Sequence, residues 1–164
     1  NVKDILNLVP DIEIISYNEE ADYINGSKTP CKVEYMERNL DKTDENGKNL
    51  YHLFKTFFEN NKINVDKVVK NGDVISKGED MQVIATPGHK EDAVCYHLPN
   101  ENIVFTGDTL FQESIGRTDL PGGDMANLIR SLRKLILLPD TTEIYPGHGY
   151  PTTINHEKQY NPYL

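Results

Sequence analysis

At 164 residues, with 26% charged and 37% hydrophobic side chains, the chain suits one soluble domain, long enough to bury about two-thirds of its unfolded surface. A net charge of -9 argues against nucleic acid or an anionic membrane as its main partner. No apolar run approaches the about 18 residues of a membrane span, and no signal-peptide pattern opens the sequence.

The first residue is Asn1, which suggests a processed chain or an internal piece of a longer one. Val2, Ile5, Leu6 and Val9 fall on one helical face that Pro10-Asp11 should stop. Ile12 to Ser16 reads as a short buried strand, and Glu19 to Tyr23 as an acidic helical turn. Residues 26–48 are polar, contain Pro30 and show no period, which predicts a surface loop or insertion. Leu50, Leu53, Phe54, Phe57 and Phe58 form a helical stripe expected in the core or against a sheet, with His52 facing solvent.

From Lys67 the pattern turns to β. Strands are expected at Val68-Val69, Val74-Ile75, Met81 to Ala85, Val94 to Leu98 and Ile103 to Thr106, the last two paired across Pro99-Asn-Glu-Asn102. His97 reads as a structural or edge residue of that hairpin. Cys31 and Cys95 are far apart and in no metal-like spacing; Cys95 should pack as a small hydrophobe, and the absence of a disulfide framework suggests a reducing cytoplasm. Asp124 suits the N-cap of a helix carrying Met125, Leu128, Ile129, Leu132, Leu135 and Ile136. Pro139-Asp140 ends that helix, Glu143 to Tyr145 is the last strand, and Thr152-Thr153 should start a short final helix.

Three of these β runs end in a glycine turn beside one potential metal ligand: Thr86-Pro-Gly-His89, Thr106-Gly-Asp108 and Tyr145-Pro-Gly-His148-Gly149. A single Gly-His or Gly-Asp is an ordinary turn. Three of them at strand ends suggest convergence, because glycine lets the backbone bend sharply around a small ion. Two imidazoles and a carboxylate suit zinc, iron or manganese better than calcium.

These loops occur in order with Phe105-Thr-Gly-Asp-Thr-Leu-Phe111, Ser114-Ile-Gly-Arg-Thr-Asp-Leu-Pro-Gly-Gly-Asp124, Thr152-Thr-Ile154 and Asn161-Pro162. Together they resemble the metallo-β-lactamase fold superfamily, and within it the small glyoxalase II-like (hydroxyacylglutathione hydrolase-like) proteins. The likeness is strong over residues 67–164 and loose over 1–25. It implies an α/β (α+β) fold, a four-layer αββα sandwich with two divalent metal ions, zinc first and iron or manganese as alternatives. By position His89 would ligate one ion, His148 the other, and Asp108 would bridge them. Ions about 3.5–4 Å apart share and acidify a water, and the hydroxide so formed would attack the carbonyl of a small-molecule thioester. Arg117 and Asp119 are expected to hold the loop's shape as a buried pair, and Phe111 and Ile115 either wall the pocket or simply pack.

Two departures from the family qualify this. Its His-x-His-x-Asp-His motif, which supplies the other ligands, does not occur in these 164 residues. His89 is followed by Lys90-Glu-Asp-Ala93 where the family has Thr and a Gly-Ser pair. The resemblance therefore implies a fold incomplete at its N-terminal side, a chain poor in metal and inactive alone, and an intact parent that is a thioester hydrolase. The C-terminal helical region that binds glutathione in full-length glyoxalase II does not follow Leu164, so a glutathione thioester stays an analogy. Other chemistry on the same fold (a persulfide dioxygenase, a lactonase or a nuclease) and a non-catalytic truncated scaffold are the competing expectations. Apolar faces left uncovered would favour a homodimer or another association.

Overall fold

A computed structural model describes residues 2–76 and 78–164. The chain divides into two compact units, Asn1–Val69 and Lys70–Leu164.

In the first unit, α1 (Val2–Leu8) ends ahead of Pro10 as its pattern predicts, yet it buries none of its residues. β1 (Ile15–Tyr17) begins later than expected. The Ile14 amide is taken by the Asp66 carboxylate at 2.8 Å, so the parallel ladder with β2 (Lys67–Val69) starts at Ile15 opposite Lys67. Between them, α2 (Asn18–Asn25) closes at Gly26 in the left-handed region, a common helix ending.

The loop expected over 26–48 is corrected. It holds α3 (Cys31–Arg38) and a 3-10 turn at Leu40–Lys42, and Asp44 then caps α4 (Glu45–Asn60) by accepting from the Gly47 amide at 2.8 Å. A helix of 8 residues whose one buried side chain is Val33 has too few apolar positions to show a period. Tertiary contacts hold it instead: Tyr51 donates to the Glu37 carboxylate at 2.7 Å, and the Lys32 ammonium lies 3.9 Å from the Phe54 ring centre.

The stripe on α4 is corrected as well. Leu53 and Phe57 are 66% and 62% exposed, and Leu50 is exposed beside them. The helix is turned by about one position, so that Tyr51 is the buried residue, with Phe54 and Phe58 half-buried beneath it. His52 faces solvent as expected. Among the described residues no helix is long and apolar enough to cross a membrane.

The second unit is built on one mixed sheet. Its strands are β3 (Val74–Ser76), β4 (Asp80–Ala85), β5 (Val94–Leu98) and β6 (Ile103–Gly107), followed by a small hairpin of β7 (Leu110–Phe111) and β8 (Ser114–Ile115). Then come α5 (Met125–Leu135), β9 (Glu143–Pro146), β10 (Thr152–Thr153) and α6 (Ile154–Tyr160). The six-stranded sheet runs β10-β9-β6-β5-β4-β3, antiparallel throughout except where β9 lies parallel to β6. A parallel neighbour needs a long crossover, and the β7–β8 hairpin and α5 occupy it.

Asp124 caps α5 as predicted, accepting from the Asn127 amide at 2.7 Å. One face of the helix buries Leu128, Leu132 and Leu135 against Cys95, Val104, Leu110, Ile144 and Ile154, each large side chain worth about 2 kcal/mol in removed apolar surface. His97 is buried on β5, an inner strand of the sheet, rather than at an edge. Thr152 and Thr153 form the short edge strand β10 before Thr153 caps α6 through the His156 amide.

Candidate metal centre

Helix α5 sets the first ligand loop. Its Ser131 hydroxyl donates to the Pro87 carbonyl at 2.7 Å, Lys134 donates to the Ala85 carbonyl at 2.9 Å, and the Asp124 amide donates to the Gly88 carbonyl at 2.7 Å. Gly88 has φ +147, and a Cβ there would come 2.3 Å from the Leu128 Cα. Only glycine lets the loop lie directly on the helix and aim the next residue, His89, away from it.

The second loop follows β6. A row of buried hydroxyls ties it to the first: Thr86 Oγ1 lies 3.1 Å from Thr109 Oγ1 and 3.3 Å from Cys95 Sγ. Thr106 donates to the Leu110 carbonyl at 2.8 Å. Burial pushes the Cys95 thiol up to about 11, so it serves as a packed, protonated neighbour and not as a ligand. The third loop follows β9, with the Gly147 amide donating to the Gly107 carbonyl at 2.8 Å. A Cβ at Gly147 would fall 2.6 Å from Asp108 Oδ1, so its absence gives the carboxylate room.

The three loops bring their ligand-type residues together. His89 Nε2 is 3.6 Å from Asp108 Oδ2, and His148 Nε2 is 3.5 Å from Asp108 Oδ1. Each imidazole therefore faces a different oxygen of one carboxylate. The His89 side chain is 20% exposed and that of His148 79% exposed, with Phe111 6.2 Å from the His148 ring. His89 Nδ1 lies 2.8 Å from the Arg117 carbonyl. A carbonyl can only accept, so Nδ1 carries a proton and Nε2 is the nitrogen turned toward Asp108.

These distances suit metal ligation. Both N···O separations exceed a hydrogen bond, whereas two zinc ligands at about 2.1 Å and a tetrahedral angle stand about 3.4 Å apart. The number of ligands is the limit. Each ion would take one histidine and a share of Asp108, and among the described residues no group of three or more His, Cys, Asp or Glu side chains is placed to hold one ion. The residues present fit part of a two-ion shell.

Arg117 and Asp119 form the expected pair, bidentate at 2.7 and 2.6 Å. It is exposed rather than buried, because the loop that carries it stands in solvent. The Arg117 guanidinium holds the Asp119 carboxyl down to about 2. Ile115 packs on the core while Phe111 stays near His148. Sequence reasoning missed the hydroxyl row, the Arg117 carbonyl and Gly116. A Cβ on Gly116 would fall 1.9 Å from the Asp108 carbonyl oxygen, yet nothing local marks it apart from other glycines.

Comparison with known proteins places the chain in a family. A family model described as the metallo-beta-lactamase superfamily matches residues 27–148. Hydroxyacylglutathione hydrolase GloC of Haemophilus influenzae is 44% identical over 88 residues, 53% of this chain and 42% of that protein. Among solved structures, ETHE1 from Myxococcus xanthus is 41% identical over 60% of this chain and 45% of its own, with a TM-score of 0.56. TTHA1623, solved in a di-iron-bound form, is 26% identical over 99% of this chain and 70% of its own, with a TM-score of 0.69. The matches span less than half the length of the curated relatives. With the family model covering most of its length, the chain belongs to the metallo-β-lactamase superfamily.

Proposed function

We propose that these residues are part of a dinuclear metal hydrolase of thioesters of the hydroxyacyl-thiol type. The observation that carries the reading is the single carboxylate of Asp108 with an imidazole nitrogen facing each of its oxygens. The likeness to GloC supports the substrate class, and the di-iron form of TTHA1623 supports an ion pair on this fold without choosing between zinc, iron and manganese.

When bound, such a pair of ions acidifies a shared water and polarises a carbonyl oxygen. This chain's own residues prepare for that. Asp108 offers one oxygen toward each histidine. The Arg117 carbonyl keeps the His89 proton on Nδ1, so that its other nitrogen is free to ligate. His148, the most exposed of the three, faces the side from which substrate would come, with Phe111 as an apolar neighbour. The thiolate of a thioester is a good leaving group, so no strong general acid is needed.

One histidine and half a carboxylate hold an ion poorly where a catalytic zinc usually has three protein ligands. The 164 residues alone are accordingly metal-poor and inactive, and activity belongs to the protein that also carries a His-x-His-x-Asp-His segment. Joining such a segment N-terminally and assaying a hydroxyacyl thioester tests this. Metal-dependent hydrolysis that the shorter chain lacks is expected; a joined protein that binds two ions and leaves every thioester intact would overturn the substrate assignment.

A second reading is supported by the likeness to ETHE1: a mononuclear-iron persulfide dioxygenase on the same fold. Oxygen consumption with a persulfide substrate, dependent on iron and not on zinc, would favour it.

A further inference from the structure

We propose that Glu157 is a positioning residue of the metal centre, a buried carboxylate that grips the tip of the β7–β8 hairpin and so sets where Asp108 and the Arg117 carbonyl stand. The proposal rests on the reading of His89 and Asp108 as ligands, and its test is independent of metal.

Glu157 is fully buried on α6. A carboxylate removed from water is tolerated only when its oxygens are met by donors, and those donors show what it holds. Oε2 accepts from the Glu113 amide and from Asn161 Nδ2, both at 2.8 Å, and Oε1 accepts from the Thr152 hydroxyl at 2.6 Å. Asn161 Nδ2 also donates to the Ser114 carbonyl at 3.1 Å. Glu157 on α6 and Asn161 at its C-cap thus hold the Glu113 amide and the Ser114 carbonyl at the hairpin tip. On the outer side, His156 Nε2 meets the Glu113 carboxylate at 2.9 Å. Glu113 has φ +53, a left-handed conformation costly for a residue with a Cβ, and this grip over-determines it.

The other end of the hairpin is the metal centre. Asp108 enters it, and Gly116 closes it with its amide donating a hydrogen bond to the Thr109 carbonyl at 3.3 Å. Arg117 follows, its carbonyl orienting His89. Gly116 has no slack there, since a Cβ would meet both the Asp108 carbonyl oxygen and, at 3.1 Å, the His89 Cβ. A hairpin this short transmits a displacement of its tip to its base. The third donor reaches the remaining ligand loop: Thr152 pairs with Ile144 on β9, the strand that leads into His148. One carboxylate therefore ties the segment after Asp108 to the segment after His148, without touching any ligand.

The test reads the ring nitrogens of His89 by NMR in the metal-free, histidine-labelled chain at pH 8. Wild type is expected to show His89 protonated on Nδ1. Glu157→Ala should move it to the mixed tautomer of a solvated imidazole. Glu157→Gln, whose amide oxygen still accepts from Glu113, should retain the wild-type signal. Ile75→Ala, which truncates a buried side chain on β3 at the opposite edge of the sheet from β10, should also retain it, which separates positioning from general destabilisation. If Glu157→Ala does not fold, Asn161→Ala, which releases the Ser114 carbonyl and takes one donor from Glu157, is read in its place and should show the same shift.

A His89 signal unchanged from wild type in folded Glu157→Ala, or in Asn161→Ala where that variant is read in its place, would overturn the proposal. In the protein joined to the remaining ligands, Glu157→Ala should weaken zinc binding at least tenfold. A tautomer shift together with zinc binding indifferent to His89→Ala would keep the grip and overturn the ligand reading instead.

Discussion

His89 donates its Nδ1 proton to the main-chain carbonyl of Arg117 at 2.8 Å. The bond fixes the ring's orientation and keeps a proton on Nδ1, with Nε2 facing Asp108 Oδ2 at 3.6 Å. Because the acceptor is backbone, no substitution of the Arg117 side chain removes it; the loop itself must move.

Gly116→Ala should move it. The added methyl would overlap the Asp108 carbonyl oxygen at 1.9 Å, and overpacking against backbone in so short a hairpin should cost about 3 kcal/mol. Urea denaturation checks the stability, and His89 ring-nitrogen shifts check the displacement. Wild-type stability would show that the hairpin has room the distances deny.

Asn102 turns the β5–β6 connection at φ 57 and uses its side chain as well, its Nδ2 donating to the Thr141 carbonyl at 2.8 Å and its Oδ1 accepting from the Thr142 hydroxyl at 2.9 Å. Asn102→Gly keeps the backbone conformation and loses the bonds; Asn102→Ala loses both. Losses of about 1 kcal/mol and about 2 kcal/mol respectively are expected in denaturant melts. Equal losses would mean that the turn conformation carries no cost.

How far the sequence revealed the molecule follows from the range of the interactions involved. The strands from Val74 to Ile103, the Asp124 cap and the leucine face of α5 were legible because their patterns are local. The convergence of the three glycine-flanked ligands was legible because each turn is local too and strand ends gather at one sheet edge. The short α3 was not, since one buried valine cannot show a period. The direction of the α4 stripe was misread because Leu50, Leu53 and Phe57 lie about one position round the helix from the side that is packed. The Arg117 carbonyl and the Glu157 grip stayed hidden for a further reason: their partners lie 28 and 44 positions away, and one of them is a backbone atom that every residue possesses.

His97 gives a pH signature. Burial lowers the basicity of its imidazole, and its Nδ1 has no hydrogen-bond partner among the described residues. Its folded pKa lies below its unfolded value of 6.5, so its contribution is fully present above that value and is lost as pH falls through the window beneath it. Thermal melts should show a loss of Tm from pH 7.5 to pH 5 that is smaller in His97→Leu. Identical slopes would mean that His97 titrates alike in the folded and unfolded chains.

The two cysteines should separate cleanly. Cys31 is half-buried, whereas Cys95 is buried with its thiol pushed up to about 11. A thiol reagent at pH 8 should modify Cys31 in the native chain and Cys95 only after unfolding. Because the folded pKa of Cys95 is the higher one, the unfolded chain ionises first, and stability should decline as pH rises above about 9. Modification of both thiols at one rate would contradict the packed core around Cys95.

The central claim is that His89, Asp108 and His148 are part of a two-ion site bridged by Asp108. Metal content by elemental analysis, taken on the 164-residue chain and on the same chain joined to a His-x-His-x-Asp-His segment, tests it most directly. Far less than one ion is expected in the first, two in the second, and loss of both on Asp108→Ala. Two ions held stoichiometrically by the 164 residues alone, or a joined protein whose metal content ignores Asp108→Ala, would contradict it.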